Sequence, residues 1–292
     1  RRTDPRSGTA PNMGATDGAH ILRLDSVATR DFRPSLERAA ALFLRKKLFA
    51  SGPWDEPLFW LGLRPTIELG PRVSSSDSQG GDVLLIPPGD DWAMLRAPRF
   101  RFRPSQSDLL HFDFWREGVN LLHDAGSFSY ADPGAHEYFS GVRAHNTVEC
   151  DGRDQMPRLG RFLWGAWPKV SIGLINDGAV LTGEASYRDW RGSRHTRTVS
   201  YDRGVWRIRD SIRNCQRATL RWHLAPLDWR QEQNTFRSSL GTLRITCETE
   251  SQNLRLDQSD ESLYYLSKNL RPMIESQAKG PEVHWITEIL RP

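Results

Sequence analysis

Four side chains in the middle of the chain have the right types for acid–base or anion-binding chemistry: His111, Tyr130, Tyr138 and Arg143. His111 falls on an alternating stretch three residues past Asp108, and the two-residue period of a strand puts it on one face with Leu109, Asp113 and Trp115. That face meets either a cleft or a second sheet, so His111 is read either as a proton-transfer group or as a hydrogen-bonded core histidine. Tyr130 and Tyr138 offer phenols for the same work, or simply pack. Arg143 carries a planar fork that can hold a carboxylate through two hydrogen bonds, although binding of nearby loop carbonyls would use the same geometry. The histidines His20, His123, His136, His195, His223 and His284 show no HExxH-like spacing, and no GxSxG, Walker or dinucleotide fingerprint is present. Hydrolase, kinase and dehydrogenase readings fall with them. A hydrolase of neutral sugar needs two cleft carboxylates at a defined separation, and sequence does not assign Asp108 and Asp113 to that role.

The elements that must position these residues come in two styles. In residues 1–63, Pro34 and Ser35 introduce the Ala-rich run Leu36 to Leu44, whose spacing predicts an amphipathic helix, and a second short helix is expected over Glu56 to Leu63. Residues 64–81, with Ser74-Ser75-Ser76-Asp77-Ser78-Gln79-Gly80-Gly81 at their centre, read as a linker too polar to order itself. From 82 to 292 the period becomes two. Short apolar or alternating runs such as Val83–Ile86, Trp92–Leu95, Leu109–Trp115, Asn146–Cys150, Val205–Asp210 and Val283–Ile289 are separated by turn residues, as in Asn176-Asp177-Gly178. A large antiparallel β-sandwich follows, with the 11 Trp residues as a wide aromatic core, some of them available to line a sugar groove.

The net charge of +4 suits a polyanionic partner, but the arginines are scattered and no nucleic-acid motif is present, so acidic polysaccharide fits equally well. No apolar run approaches the roughly 20 residues of a membrane-spanning helix. Cys150, Cys215 and Cys247 are odd in number, far apart and without CxxC spacing, which argues for buried free thiols over a disulfide framework or a thiolate zinc site. The chain opens Arg1-Arg2-Thr3-Asp4-Pro5, without an initiator Met or a signal-peptide h-region, and is read as a fragment.

Three stretches resemble the heparinase II/III-like polysaccharide lyase family. Pro11-Asn12-Met13-Gly14-Ala15-Thr16-Asp17-Gly18-Ala19 is similar to its PNxGxNDGA segment, with Thr16 in place of Asn. Arg103 to Gly118 followed by Asp124-Ala125-Gly126-Ser127-Phe128 resembles its strand pair ending in D-(A/P)-G-T-Y, and Ala144-His145-Asn146-Thr147-Val148 leading to Asp151-Gly152-Arg153-Asp154-Gln155 resembles AHNTV…DGxxQ. Together they span most of residues 11–167.

The resemblance implies a mainly β fold: a sandwich preceded by a short helical remnant of an (α/α) toroid, with an acidic, uronate-containing polysaccharide cleaved between the two by β-elimination. That reaction needs a donor for the carboxylate, a base for the proton beside it and an acid for the leaving oxygen. In the family the toroid supplies an Asn or His and a Tyr. Those motifs lie upstream of PNxGxNDGA and are absent here, so the fragment is expected to be inactive alone. The family's HxHxD motif offers a catalytic His and then a metal-ligand His; aligned on Asp108, these positions hold Pro104 and Gln106. The remaining positions of its zinc site match Asp124 and His145, which either help hold a divalent metal or form a metal-free hydrogen-bonded pair tying two strands together.

The site expected from this resemblance has His145, His111, Tyr130 and Arg143 as catalytic groups, Arg143, Gln106, Asn146 and Gln155 on substrate, and Asp124 with His145 at a zinc position. No other cofactor is implied. The expected partners are an acidic polysaccharide and the toroid domain, with neither nucleic acid nor a membrane span, in the periplasm or outside the cell. A non-catalytic carbohydrate-binding or structural module is the competing expectation, favoured by Pro104 and Gln106 where histidines would stand. Asn12 and Asp17 are expected to brace the turn into the first domain.

Overall fold

The computed structural model describes residues 2–14, 22–66, 76–77, 81–176, 180–249 and 251–292. Two compact units emerge, Arg1–Pro11 with Gly18–Ser74, and Asn12–Asp17 with Ser75–Pro292. The first unit holds the helices Arg33–Leu44 and Glu56–Trp60. Pro34 pre-sets the first turn of the longer helix, and Arg45, at φ 55°, ends it in the left-handed region. Its buried side is not its most apolar one. The buried residues are Pro34, Glu37, Ala40 and Ala41, and the Glu37 carboxylate accepts from the backbone N–H groups of Leu48 and Phe49, while Phe43 is 82% and Phe59 77% exposed.

Most of the expected linker, 67–75 and 78–80, lies outside the described residues. Ser76 and Asp77, however, pair with Leu84 and Val83 as an edge strand. Backbone hydrogen bonds to a sheet edge require no apolar side chain, so the polar composition did not prevent order there.

The second unit is mainly β. Among the described residues a five-stranded meander runs Ser76–Asp77, Val83–Leu85, Trp92–Leu95, Phe112–Arg116 and Val119–Leu122. An eight-stranded antiparallel sheet is ordered Arg230–Glu232, Thr235–Ser238, Gly241–Cys247, Glu282–Leu290, Val205–Arg213, Arg194–Asp202, Leu181–Arg188 and Val170–Asn176. A four-stranded sheet is ordered Ser251–Tyr264, Ser267–Lys279, Arg217–His223 and Val148–Cys150.

All three sheets feed one apolar core, with Phe112 and Phe114 from the first, Trp206, Ile208 and Trp285 from the second, and Leu220, Trp222 and Ile274 from the third. Each core Trp that crosses between sheets also finds a polar partner: Trp222 Nε1 donates to Thr287 Oγ1 at 3.2 Å and Trp285 Nε1 to Ser276 Oγ at 3.0 Å. Arg197, wholly buried, forks onto Asp210 and donates to the carbonyls of Leu110 and Asn146, which fixes the site-bearing loops against the large sheet.

Candidate functional site

Asp124 follows the strand Val119–Leu122 and is turned inward by Gly126, whose φ of +94° puts a would-be Cβ 1.7 Å from the Ser262 carbonyl oxygen. Its Oδ1 accepts from the Gly126 N–H at 2.7 Å and from Asn12 Nδ2 at 3.2 Å, and its Oδ2 accepts from His145 Nδ1 at 2.7 Å. Asn12 therefore reaches Asp124 in place of the expected turn brace, while Asp17 lies outside the described residues. Gly14, at φ +73°, lies beside Ser105, whose Oγ would stand 2.9 Å from an added Cβ.

Burial by itself would raise the Asp124 pKa, but the charge of His145 and the hydrogen bond from it hold the carboxyl far below its usual range. Burial would lower the His145 pKa, yet Asp124 outweighs it and the net shift is upward. The result is a buried carboxylate–imidazolium pair. His145 Nε2 is buried and has no protein partner among the described residues, as is true of Gln106 Oε1 and Asp108 Oδ1.

Several sequence expectations need correction. His111 is 1% exposed; its Nδ1 accepts from the Asn146 N–H at 2.9 Å and its Nε2 lies 3.1 Å from Asp113 Oδ2. His111 is thus buried and hydrogen-bonded through both ring nitrogens, which matches the core-histidine alternative of its two readings. His145, with no exposed surface, is equally unable to touch a glycan. Asn146 spends its amide on the carbonyls of Phe112 and His123 and accepts from the His223 N–H; Gln155 bonds the backbone of Leu109 in both directions. Both are buried braces between loops and cannot bind substrate. Tyr130 packs its ring against Tyr265 at 5.8 Å, and Tyr138 is half-buried, its phenol pushed up by burial. Arg143 keeps a side chain 60% exposed, held at Nε by Glu149 at 3.0 Å.

The open surface lies elsewhere. A groove of about 450 Å³ is lined by the 96–108 stretch, including Arg96, Arg99, Arg101 and Arg103, with Gln106 and Asp108 at its inner end. Arg96 is neutralised by Asp108 and by Asp82. Arg99, Arg101 and Arg103 are exposed and have no carboxylate partner among the described residues. The groove carries aromatic surface as well. Phe102 is 85% exposed, Arg103 stands 6.0 Å from the Phe162 ring, and Phe100 meets Trp167 edge-on at 6.2 Å. The groove connects to the neighbouring helix Pro133–Ser140 through Gln106 Nε2 donating to the Phe139 carbonyl and the Ser107 N–H to that of Ser140. Sequence reading missed these arginines, although Arg-Phe-Arg-Phe-Arg over 99–103 was a visible signal of cations at every second position.

One atom each from His111, Asp124 and His145 comes within 4.8 Å of the others, a spacing that ligands of one ion would have. The hydrogen bonding does not fit such an ion. Asp124 Oδ2 is closed on His145 Nδ1, both ring nitrogens of His111 are engaged, and the third expected position is an amide, Gln106, whose Nε2 bonds Phe139 and whose Oε1 has no partner. Neutral amide oxygen is also a poor ligand for zinc. Asp124 and His145 form the hydrogen-bonded pair that stood as the metal-free alternative, and it joins the loop after Leu122 to the one before Val148.

The family model described as heparinase II/III-like, C-terminal, matches residues 95–278, which contain the groove, the ion pair, the last two strands of the meander and most of the eight- and four-stranded sheets. The chain belongs to the heparinase II/III-like family. Among solved structures it is similar to a heparinase III gene product (16% identity, TM-score 0.74, 100% of this chain and 44% of that one). It is also similar to a heparinase III (14%, 0.73, 99% and 46%) and to heparan sulfate lyase HepC from Pedobacter heparinus (15%, 0.71, 100% and 45%). At such identities the likeness is one of fold, and it agrees with the β-sandwich read from the strand pattern. The chain spans less than half the length of these relatives. No protein of curated function matches it. No described helix is long and apolar enough to cross a membrane.

Proposed function

We propose that this chain is the C-terminal, substrate-gripping part of a polysaccharide lyase that cleaves an acidic, uronate-containing glycan by β-elimination. The observation that carries the reading is the groove over residues 96–108, where Arg99, Arg101 and Arg103 have no carboxylate partner among the described residues. Unpaired guanidinium forks beside exposed aromatic rings match a chain of sugar carboxylates, since forks bind the anions bidentately and ring faces cover the apolar sides of sugars. Arg143 is the candidate for holding the carboxylate next to the reacting carbon, and Gln106, with a buried unpaired Oε1, for orienting a sugar hydroxyl. Asp124 and His145 position the loop that carries Arg143.

The acid and the base of the elimination come, in this reading, from a helical domain upstream. Two facts support that assignment: the chain covers under half of the similar lyases, and the helices Arg33–Leu44 and Glu56–Trp60 expose Phe43, Phe59 and Trp60, which a neighbouring helical layer would cover. The chain alone is therefore inactive. A glycan of polymer length also points to action outside the cytoplasm, in the periplasm or beyond the cell. The burial of His111 and His145 favours a second reading, a binding module without chemistry.

One experiment separates the readings. The chain is rejoined to its upstream sequence, and the absorbance of unsaturated uronate is followed with several acidic glycans. Product that disappears in Arg143→Ala supports the lyase. Binding without product supports the module, and neither binding nor product overturns both.

A further inference from the structure

One end of the eight-stranded sheet carries cations that the groove does not use. The strands Leu181–Arg188 and Arg194–Asp202 pair Arg188 with Arg194, and Arg194 stands in turn opposite Arg213 of Val205–Arg213, so three arginines form one cross-strand row. The row faces solvent: all three are exposed, while the alternate residues His195, Arg197, Asp210 and Ile212 are buried. Like charges directly opposite in a sheet, about 5 Å apart at Cβ, repel. The turn joining the first two strands adds Arg191, whose guanidinium lies 4.5 Å from the ring centre of Trp190, itself 42% exposed. In the next row Thr196 faces Ser211, and these hydroxyls line, with Arg194 and Arg213, a hollow of about 260 Å³.

Little around the row cancels its charge. Asp189, the carboxylate of the turn, is buried. Its Oδ2 accepts from Arg153 at 2.7 Å and its Oδ1 from the N–H groups of Arg191 and Ser193 at 2.9 and 2.8 Å, which also holds the turn in one shape. Glu282 is shared between Arg213 and His284, Glu288 between Arg207 and Arg244, and Glu184 accepts from Thr198. Arg188, Arg191 and Arg194 have no carboxylate partner among the described residues. Arg197, on the same strand as Arg194 but pointing inward, donates to the carbonyls of Leu110 and Asn146, so the site-bearing loops lie against the inner face and the row stands on the outer one.

We propose that this outer face is a second, non-catalytic binding site for an acidic polysaccharide. Arg188, Arg191, Arg194 and Arg213 grip the anionic groups of the sugar chain, Thr196 and Ser211 take its hydroxyls, and Trp190 covers a sugar face. The choice of ligand rests on the lyase reading above; the cation row does not. A carboxylate or sulfate ester held between neighbouring guanidinium forks removes the repulsion within the row. A flat sheet offers no projecting helix or ribbon to the groove of a duplex, which disfavours nucleic acid. A polymer held here is kept at high local concentration beside the groove.

The full chain is titrated by calorimetry with a short oligogalacturonate and with a heparin oligosaccharide. Three proteins are compared: wild type, the outer-face variant Arg188→Ala, Arg191→Ala, Arg194→Ala, and the groove variant Arg99→Ala, Arg101→Ala, Arg103→Ala. The expected result is a second oligosaccharide bound per wild-type chain. The outer-face change weakens that event by about 3- to 150-fold and leaves the groove event intact, with a Tm equal to or above that of wild type. Weakening with both sugars marks carboxylate recognition, and weakening with heparin alone marks sulfate recognition; either supports the site. Trp190→Ala weakens the same event while its salt dependence persists. If only the outer-face change weakens binding, the groove reading fails and this site stands; if only the groove change does, the reverse holds. Absence of sugar binding by wild type overturns the proposal, as does a DNA duplex bound through the outer-face arginines more tightly than either sugar.

Discussion

Replacing His145 with Ala asks whether an ion pair or a metal holds the two site loops together. The Asp124 carboxylate accepts three hydrogen bonds, from the Gly126 N–H, Asn12 Nδ2 and His145 Nδ1, and the last, at 2.7 Å, is the one whose donor carries charge. Removing it leaves a buried carboxylate without its nearest cation, which costs about 3–5 kcal/mol. At about 2–4 °C per kcal/mol for a domain of this size, the Tm falls by about 6–20 °C. Thermal unfolding of wild type and His145→Ala is followed by calorimetry with and without a chelator, at about pH 6 and about pH 9.

The sign of the pH effect follows from the two shifts. The His145 pKa is raised, so its contribution is complete below the unfolded value near 6.5 and is lost as pH climbs through the folded value. The Asp124 pKa is lowered, so its contribution is present throughout this window and fades only in strong acid. The gap between the proteins is therefore wider at the lower pH. If the chelator drops the wild-type Tm by as much as the substitution does, an ion holds the loops and the ion-pair assignment is wrong; a Tm loss under about 2 °C at the lower pH refutes it equally.

The triple change Arg99→Ala, Arg101→Ala, Arg103→Ala should weaken binding of an acidic glycan by about 3- to 150-fold, from about 0.2–1 kcal/mol per exposed charge, as measured by titration calorimetry. Raising the salt concentration should shrink that difference, while Tm stays within a few degrees of wild type. His195 and His223 are both buried with pKa values pushed down, first by desolvation, so the folded state resists protonating them. Stability is complete above about pH 6.5 and falls below it by up to about 1.4 kcal/mol per pH unit for each, readable by urea unfolding and flattened in His223→Gln. Paired substitution of Phe43 and Phe59 by Ser should reduce dye binding and self-association of the isolated chain without loss of β-sheet signal, because both rings stand in solvent.

The strand pattern was legible where one side of a strand is apolar. Val205–Arg213 and Glu282–Leu290 appear close to the expected positions because alternation there reports directly on burial, and Val83–Leu85 and Trp92–Leu95 because a short continuous apolar run marks a strand buried at every residue. The two longest strands, Ser251–Tyr264 and Ser267–Lys279, were not anticipated. They are polar, and much of their pairing is supported by cross-strand charges such as Arg255 with Glu275 and Lys268 with Asp260, which carry no apolar period. The first helix was found, but it buries Glu37 and small residues and leaves Phe43 exposed, which the spacing of its apolar residues does not reveal.

By itself the sequence determined the class of fold, the three family-like segments and the residues that would meet around Asp124, because motif order and two-residue periodicity are local properties of the chain. Only the tertiary structure decided which of those residues face water. Parity along a strand cannot say which layer lies over it: His111 and His145 prove buried beneath packed sheets, Asn146 and Gln155 prove to be braces, and the arginines at 99, 101 and 103 take the open surface instead.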